Sequence, residues 1–391
     1  MRVLYVIDGL GTGGAERSLA EMLPRLAEAE VEPTVAALYR RNEGVEADVL
    51  RRGFDVRFLP GRGIGRVRHL RRIVAERRPD LIHTTLFKAS QVGRFAAVGG
   101  SAPVLTSLVS TPYVSARLLD PKVGRPSLRV VRTVDGWSAR HLTTHFHAIT
   151  EAVKRAAVDS LRIPAGRISV IERGRDRGRL GLPSEERRRS VRTALGLHED
   201  DEVLVALGRQ EFAKGHRFLV EAVERVAAAR PRLVLLMVGR DGHASPEIGR
   251  IAQRPGVRDV VRFLGHREDA PDLLAAADAF VFPSLIEGLG GALLEAMALG
   301  LPIVASDLEA IREVVEDGAN ARLVPPGSPE ALATAIETLL GDRAAAAAFG
   351  ARSRTIFEER FTLERSTGRM IELYGSIVGA SRARRPTAVS A

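Results

Sequence analysis

Short apolar runs alternate along this chain with longer segments whose apolar residues recur every three or four positions. In the first half the runs fall at residues 3–7, 34–38, 56–59, 81–83, 104–108, 147–149 and 168–171. In the second half they fall at 203–206, 233–238, 261–263, 279–281, 303–305 and 321–324. Helix-period segments such as 218–229 and 329–340 lie between most of them. This alternation predicts parallel strands covered on both faces by helices. It occurs twice, on either side of an Arg-rich join of low hydrophobicity, ERGRDRGRLGLPSEERRRS (172–190). The fold class is therefore read as α/β, with two doubly wound Rossmann-like domains at 1–175 and 176–360 facing across a cleft. Residues 361–380 read as an amphipathic helix that packs back towards the first domain, and 381–391 as a disordered tail.

Composition narrows the chemistry. The 391 residues include no cysteine, which excludes disulfides, zinc thiolates and thiol nucleophiles. The N-terminal apolar run stops at Asp8, too early for a signal peptide, and no window approaches the roughly 18 apolar residues of a membrane span. A cytoplasmic protein is expected. Charge is unevenly placed: 31 Lys+Arg face 18 Asp+Glu in residues 1–180, against 27 and 30 thereafter. Nearly all of the basic residues are arginine; Lys88, Lys122, Lys154 and Lys214 are the exceptions.

The first strand runs into Gly9, Gly11 and Gly14, which spell the G-x-G-x-x-G of a dinucleotide fold. Such a site also needs an acid at the end of the second strand, where this chain has Arg40 and Arg41. An NADP-dependent oxidoreductase survives that test as an alternative. A non-catalytic binder of a nucleotide sugar or of nucleic acid is the other; the single Trp and four Tyr supply no aromatic interleaving for nucleic acid.

Three clusters in the second half carry more. ALGRQEFAKGH (206–216) sets Arg209 and Lys214 just beyond a strand, where a guanidinium fork and a mobile ammonium suit a diphosphate. FVFPSLIEGLGGALLEAMALG (280–300) sets a glycine-rich loop before a helix starting near Gly291, whose first amides suit a phosphate. Glu287 and Glu295 are eight residues apart, about 12 Å along a helix, so the two carboxylates should meet different parts of one ligand. MVGRDGHAS (237–245) supplies glycines where main chain could edge a base. No D-x-D triplet occurs, so a metal-bound diphosphate lacks its usual carboxylates.

In order along the chain these motifs resemble the retaining nucleotide-sugar glycosyltransferases of family 4 (glycosyl transferases group 1), which have the GT-B fold. The resemblance includes GGAE (13–16), PDLIHTTLF (79–87), HAITEAVK (147–154) and VIERGRD (170–176). It continues through GRQEFAKG (208–215), EGLGGALLEAMALGLPIVAS (287–306) and ERFTLERSTGRMIELY (359–374). It implies that Arg209 and Lys214 hold the donor diphosphate as leaving group, with Glu287 at the donor sugar and Glu295 at the ribose. It implies a phosphate-facing turn at Gly288, Leu289, Gly290 and Gly291, and a second donor contact at Gly13 and Gly14. No cofactor and no metal are implied; the nucleotide sugar is a co-substrate. The acceptor is expected to be a glycan, a lipid-linked molecule or a small molecule, and nucleic acid is not expected as a partner.

One departure concerns the fifth strand. PVLTSLVSTPY (103–113) puts Val109 or Ser110 where many relatives carry a histidine, and no histidine is expected within reach of that position. The basic segment GRVRHLRRIVAERRPD (65–80) reads as a helix with Val67, Leu70, Ile73 and Val74 inward. Arg68, Arg71, Arg72 and Arg78 then point elsewhere, either as a solvated face or as a peripheral contact with the anionic inner membrane surface.

Overall fold

The computed structural model describes residues 1–120 and 122–383. They form two compact units. One comprises Met1–Val114, Val123–Arg175 and the chain from Leu363; the other comprises Ser115–Lys122 and Asp176–Thr362.

The first unit holds a seven-stranded parallel sheet in the order β3-β2-β1-β4-β5-β6-β7. Its strands are β1 (Arg2–Ile7), β2 (Glu32–Ala37), β3 (Asp55–Phe58), β4 (Leu81–Thr85), β5 (Val104–Leu108), β6 (His145–Ala148) and β7 (Ile168–Val170). The uninterrupted apolar run of β1 has a simple cause: both its faces are buried. Val3, Tyr5 and Ile7 pack with Leu19, Leu23 and Leu26 of the helix Gly14–Glu28, while Leu4 and Val6 pack on the opposite side with Leu70, Ile73 and Val92. The C-terminal helix, Leu363–Ala383, adds Met370, Tyr374, Ile377 and Val378 to the first of these cores. It takes in residues 381–383, which the tail was expected to include; 384–391 lie outside the described residues.

The second unit holds a six-stranded parallel sheet in the order β10-β9-β8-β11-β12-β13. Its strands are β8 (Glu202–Leu207), β9 (Leu233–Val238), β10 (Val261–Gly265), β11 (Ala279–Phe282), β12 (Ile303–Ser306) and β13 (Ala321–Val324). On one face Leu204, Ala206, Leu235, Met237 and Val281 meet Leu219, Val223 and Val226 of the helix His216–Ala227 and Leu332 and Ile336 of the helix Pro329–Gly341.

Every apolar run in the sequence became a strand; the differences are at the ends. β4 extends through Thr84 and Thr85, beyond its apolar run, because a polar side chain is tolerated where it finds a partner: Thr84 Oγ1 lies 2.9 Å from Thr106 Oγ1 of β5. In both sheets the chain order reverses at one place, between β1 and β4 and between β8 and β11. Loops leaving these strands diverge at their carboxyl ends, the usual position of a ligand crevice in such sheets. Among the described residues no helix is long and apolar enough to cross a membrane.

Candidate functional site

In the second unit the loop after β8 passes through Arg209, Gln210 and Glu211, then a single 3-10 turn, Phe212–Lys214. Gly215 ends that turn with φ +64° and starts the helix His216–Ala227. A Cβ there would stand 2.0 Å from the Pro283 carbonyl oxygen, so only glycine permits this approach. The Ala213 carbonyl accepts from the Leu285 and Ile286 amides at 2.8 and 3.3 Å. The loops after β8 and β11 are thereby stitched together, although they lie some 70 residues apart in sequence.

That junction sets the charged groups. Lys214 Nζ donates to Glu287 Oε2 at 2.6 Å, and the Gly288 amide donates to Glu287 Oε1 at 3.1 Å. Lys214 also stands 5.5 Å from the centre of the Phe282 ring. Arg209, on the same loop, turns to other partners. Its Nε lies 3.3 Å from Glu211 Oε1 and donates to the Asp241 carbonyl at 3.4 Å, leaving most of the side chain exposed. Glu211 Oε2 in turn meets His243 Nδ1, which ties the loop after β9 to the loop after β8.

Gly290, with φ +92°, turns the chain into the helix Gly291–Ala298; a Cβ there would stand 3.1 Å from the Phe282 ring. The first backbone bond of that helix runs from Leu294 N to Gly290 O, and no side chain caps its start. Leu289 is buried, while Gly291 and Ala292 are partly open. These amides form a positive helix end free of any side-chain cap. One turn on, Glu295 is buried and accepts from Arg179 Nη2 at 2.8 Å. Lys214, Glu287 and the Gly288 amide are thus brought together, while Arg209 and Glu295 each go to a different partner. Arg179, Glu211 and His243 were missed in the sequence: each gains its role from a neighbour in space, and none carries a motif of its own.

His216 is buried beside this loop, and burial together with the Lys214 charge lowers its pKa to about 3, so it is neutral. In the first unit, Gly13 and Gly14 lie exposed at the start of the helix Gly14–Glu28. Gly9 and Gly11 lie under the Arg41 side chain, whose Nε would stand 3.0 Å from a Cβ at Gly9.

The missing histidine of the fifth strand needs correction. None is near Val109 in sequence, yet two flank Ser107 in space. Ser107 Oγ on β5 lies 2.7 Å from His83 Nε2 on β4 and 2.8 Å from His147 Nδ1 on β6. The series continues through His83 Nδ1 to the Tyr374 hydroxyl at 2.8 Å and on to the Tyr5 hydroxyl at 2.9 Å. At its other end His147 Nε2 reaches the Ile171 carbonyl at 2.8 Å. A carbonyl only accepts, which orients the whole series: His147 Nε2 donates to it, Ser107 to His147, His83 Nε2 to Ser107, Tyr374 to His83, and Tyr5 to Tyr374. Both imidazoles are neutral, since burial lowers His83 to about 3 and His147 to about 4. A pocket of about 530 Å³, open solvent included, borders this series, with Ser18, Arg173 and Met370 also in its wall. Both ring nitrogens of each histidine are already bonded, so neither is free to act as a base there.

A model described as glycosyl transferases group 1 matches residues 201–342, and one described as Glycosyltransferase Family 4 matches residues 12–179. A D-inositol 3-phosphate glycosyltransferase of Xylanimonas cellulosilytica is 30% identical over 340 residues, covering 82% of this chain and 78% of that relative. The chain belongs to the family 4 glycosyltransferases. An alpha-D-kanosaminyltransferase of Streptomyces kanamyceticus is 28% identical over 256 residues, 59% of this chain and 64% of the relative. The chain thus spans a little under two thirds of that relative's length. Among solved structures, the Anabaena protein HepE in complex with UDP and glucose has a TM-score of 0.84 at 24% identity, covering 96% of this chain and all (100%) of that one. A sucrose-phosphate synthase of Thermosynechococcus elongatus has a TM-score of 0.83 at 22% identity, covering 97% of this chain and 100% of its own. These likenesses show the GT-B fold. Family membership favours the transferase reading over the oxidoreductase one.

Proposed function

We propose that this chain transfers a sugar from a nucleoside diphosphate sugar to an acceptor hydroxyl, with retention of anomeric configuration and without a metal. The observation that carries the reading is the Lys214–Glu287 pair beside the uncapped helix start at Gly291, at the switch point between β8 and β11. In the reaction the bond between the anomeric carbon and the diphosphate oxygen breaks. The acceptor oxygen bonds to the same face of that carbon, and its proton passes to the departing phosphate oxygen. Lys214, Arg209 and the amides of Gly288, Leu289, Gly290 and Gly291 stabilise the negative charge that develops on the phosphate. Glu287 lies beside the leaving group and receives hydroxyls of the donor sugar. Glu295, held by Arg179, receives the ribose.

The named relatives act in different settings, so the sugar, base and acceptor are to be read by experiment. A hydrolysis and thermal-shift panel of UDP-, GDP- and ADP-sugars tests the donor. Lys214→Ala and Arg209→Ala should each slow turnover about a hundredfold, on the order of 3 kcal/mol, with unchanged melting. Wild-type rates in both would overturn the assignment. Activity should persist in excess chelator, because the diphosphate has cationic partners; loss restored by magnesium or manganese would overturn that part. A peripheral contact with anionic lipid belongs to the same reading. Arg68, Arg71 and Arg72 are exposed on the helix Ile64–Arg77, while Leu70 and Ile73 are buried. Salt-sensitive co-sedimentation with anionic vesicles, lost when these three become Ala, tests it.

A further inference from the structure

The carboxyl edge of the first sheet holds a cluster that the donor site does not use. Tyr39 follows β2, and three cations from separate segments gather on its ring. The Arg66 guanidinium carbon lies 4.3 Å from the ring centre, Lys88 Nζ 5.5 Å and the Arg41 guanidinium carbon 5.6 Å. Arg66 and Lys88 also lower the Tyr39 phenol pKa, chiefly through hydrogen bonding from Arg66. Like charges this close repel, and elsewhere in this chain arginines are routinely matched: Arg57 with Asp55, Arg187 with Asp272, Arg352 with Glu316. Among the described residues Arg41, Arg66 and Lys88 have no carboxylate within ion-pair distance.

The nearest acid does not change this. Asp8, at the end of β1, feels all three cations, but its Oδ1 is committed to the Ala89 amide at 2.8 Å at the start of the helix Phe87–Ala97. Burial raises its pKa against their pull. Glu16, on the helix Gly14–Glu28, also lies in the field of Arg41, so three cations face two carboxylates and the cluster keeps a net positive charge at the switch point between β1 and β4. Arg41 and Lys88 are exposed and Arg66 half-buried, so the cluster is open to a ligand.

We propose that the acceptor carries a phosphate monoester, bound by Arg41, Arg66 and Lys88 beside Tyr39. A carboxylate brings two oxygens, and would leave one of the three cationic groups without an acceptor of its own. A phosphate monoester carries about −1.5 to −2 at neutral pH, with three oxygens for two guanidinium forks and an ammonium. The identity of the ligand as acceptor rests on the glycosyl-transfer reading; the anion site itself does not.

The test uses the full chain and inorganic phosphate, titrated by calorimetry and thermal shift at constant ionic strength against chloride. Phosphate should bind with and without a saturating nucleoside diphosphate. Arg66→Ala and Lys88→Gln should each weaken it about tenfold, while nucleoside diphosphate affinity changes less than twofold. Lys88 is exposed, so its variant keeps the fold and the result readable. Competition by glucose 6-phosphate would identify a soluble ester, and competition only by vesicles containing phosphatidic acid a lipid headgroup; either supports the shared chemistry. Phosphate affinity unchanged in both variants, or phosphate displaced by the nucleoside diphosphate, would overturn the proposal. Lys214→Ala should weaken nucleotide binding and spare phosphate binding, so failure of the donor reading and failure of this one are distinct results.

Discussion

At the switch point of the second sheet the cations have carboxylates: Lys214 with Glu287, Arg209 with Glu211, and Arg179 with Glu295. At the switch point of the first sheet Arg41, Arg66 and Lys88 crowd one aromatic ring with no carboxylate in ion-pair distance, and Asp8 and Glu16 act on them only from further off. The two sheets are built alike, with parallel strands and a single reversal of order. The difference lies in what each loop set carries out to the edge. A paired site is already organised: Glu287 holds the ammonium of Lys214 in place before any diphosphate arrives. It also suits a ligand that brings both an anion and hydroxyls. An unpaired site holds a repulsion that only an anion relieves. A donor with a sugar, a ribose and a diphosphate fits the first, and a compact phosphate ester the second.

The comparison is most severely tested at Gly215. Gly215→Ala should force the loops after β8 and β11 apart, because the added Cβ would stand 2.0 Å from Pro283 O on a residue already at positive φ. We expect about 3 kcal/mol of lost stability and loss of nucleotide binding, measured by denaturant melts and calorimetry. Phosphate binding in the first unit should survive if the two sites are independent.

Acid should separate the units next. His83 and His147 are buried neutral in the first unit, at about 3 and 4, and His216 in the second, at about 3. Unfolded histidine titrates near 6.5, so between that value and the folded ones only the unfolded chain binds the proton. The stabilisation is therefore complete above about pH 6.5 and is lost as pH falls towards 4 and 3. Each histidine should cost about 1.5 kcal/mol between pH 6.5 and 5, a window above most carboxylates. Hydrogen exchange at pH 5 should show the first unit loosening more than the second. Equal loosening would mean that the bonded series from Tyr5 to Ile171 opens and is solvated before it protonates.

The smallest effect divides the two glutamates. Glu295→Ala should weaken a bare nucleoside diphosphate about tenfold, near 1.4 kcal/mol, while Glu287→Ala should leave it nearly unchanged and slow sugar transfer. The reverse pattern, read by calorimetry against turnover, would exchange their roles.

Much of this was legible in order along the chain. The apolar runs marked each strand because strands buried on both faces admit few polar residues, and the exceptions came where a polar side chain found a cross-strand partner, as Thr84 does. Arg209, Lys214, Glu287 and Glu295 were legible as candidates from their position beyond strands. Their partners were not. Arg179 lies 116 residues from Glu295, and Glu211 meets His243 only because β8 and β9 are neighbours. The histidines at Ser107 were hidden for the same reason: β4, β5 and β6 are adjacent in the sheet and distant in sequence.

By itself the sequence determined which segments are strands and helices and how many sheets they form, since periodicity and burial are properties of short stretches. It also determined that a glycine-rich loop precedes a helix in each half. Tertiary structure decided which charges are neutralised. Ion pairs and buried hydrogen bonds act over a few ångströms, and strand order alone sets which loops come that close. Lys214 finds Glu287 across 73 residues by that route, and by the same route Arg41, Arg66 and Lys88 gather with no acid within ion-pair distance among the described residues.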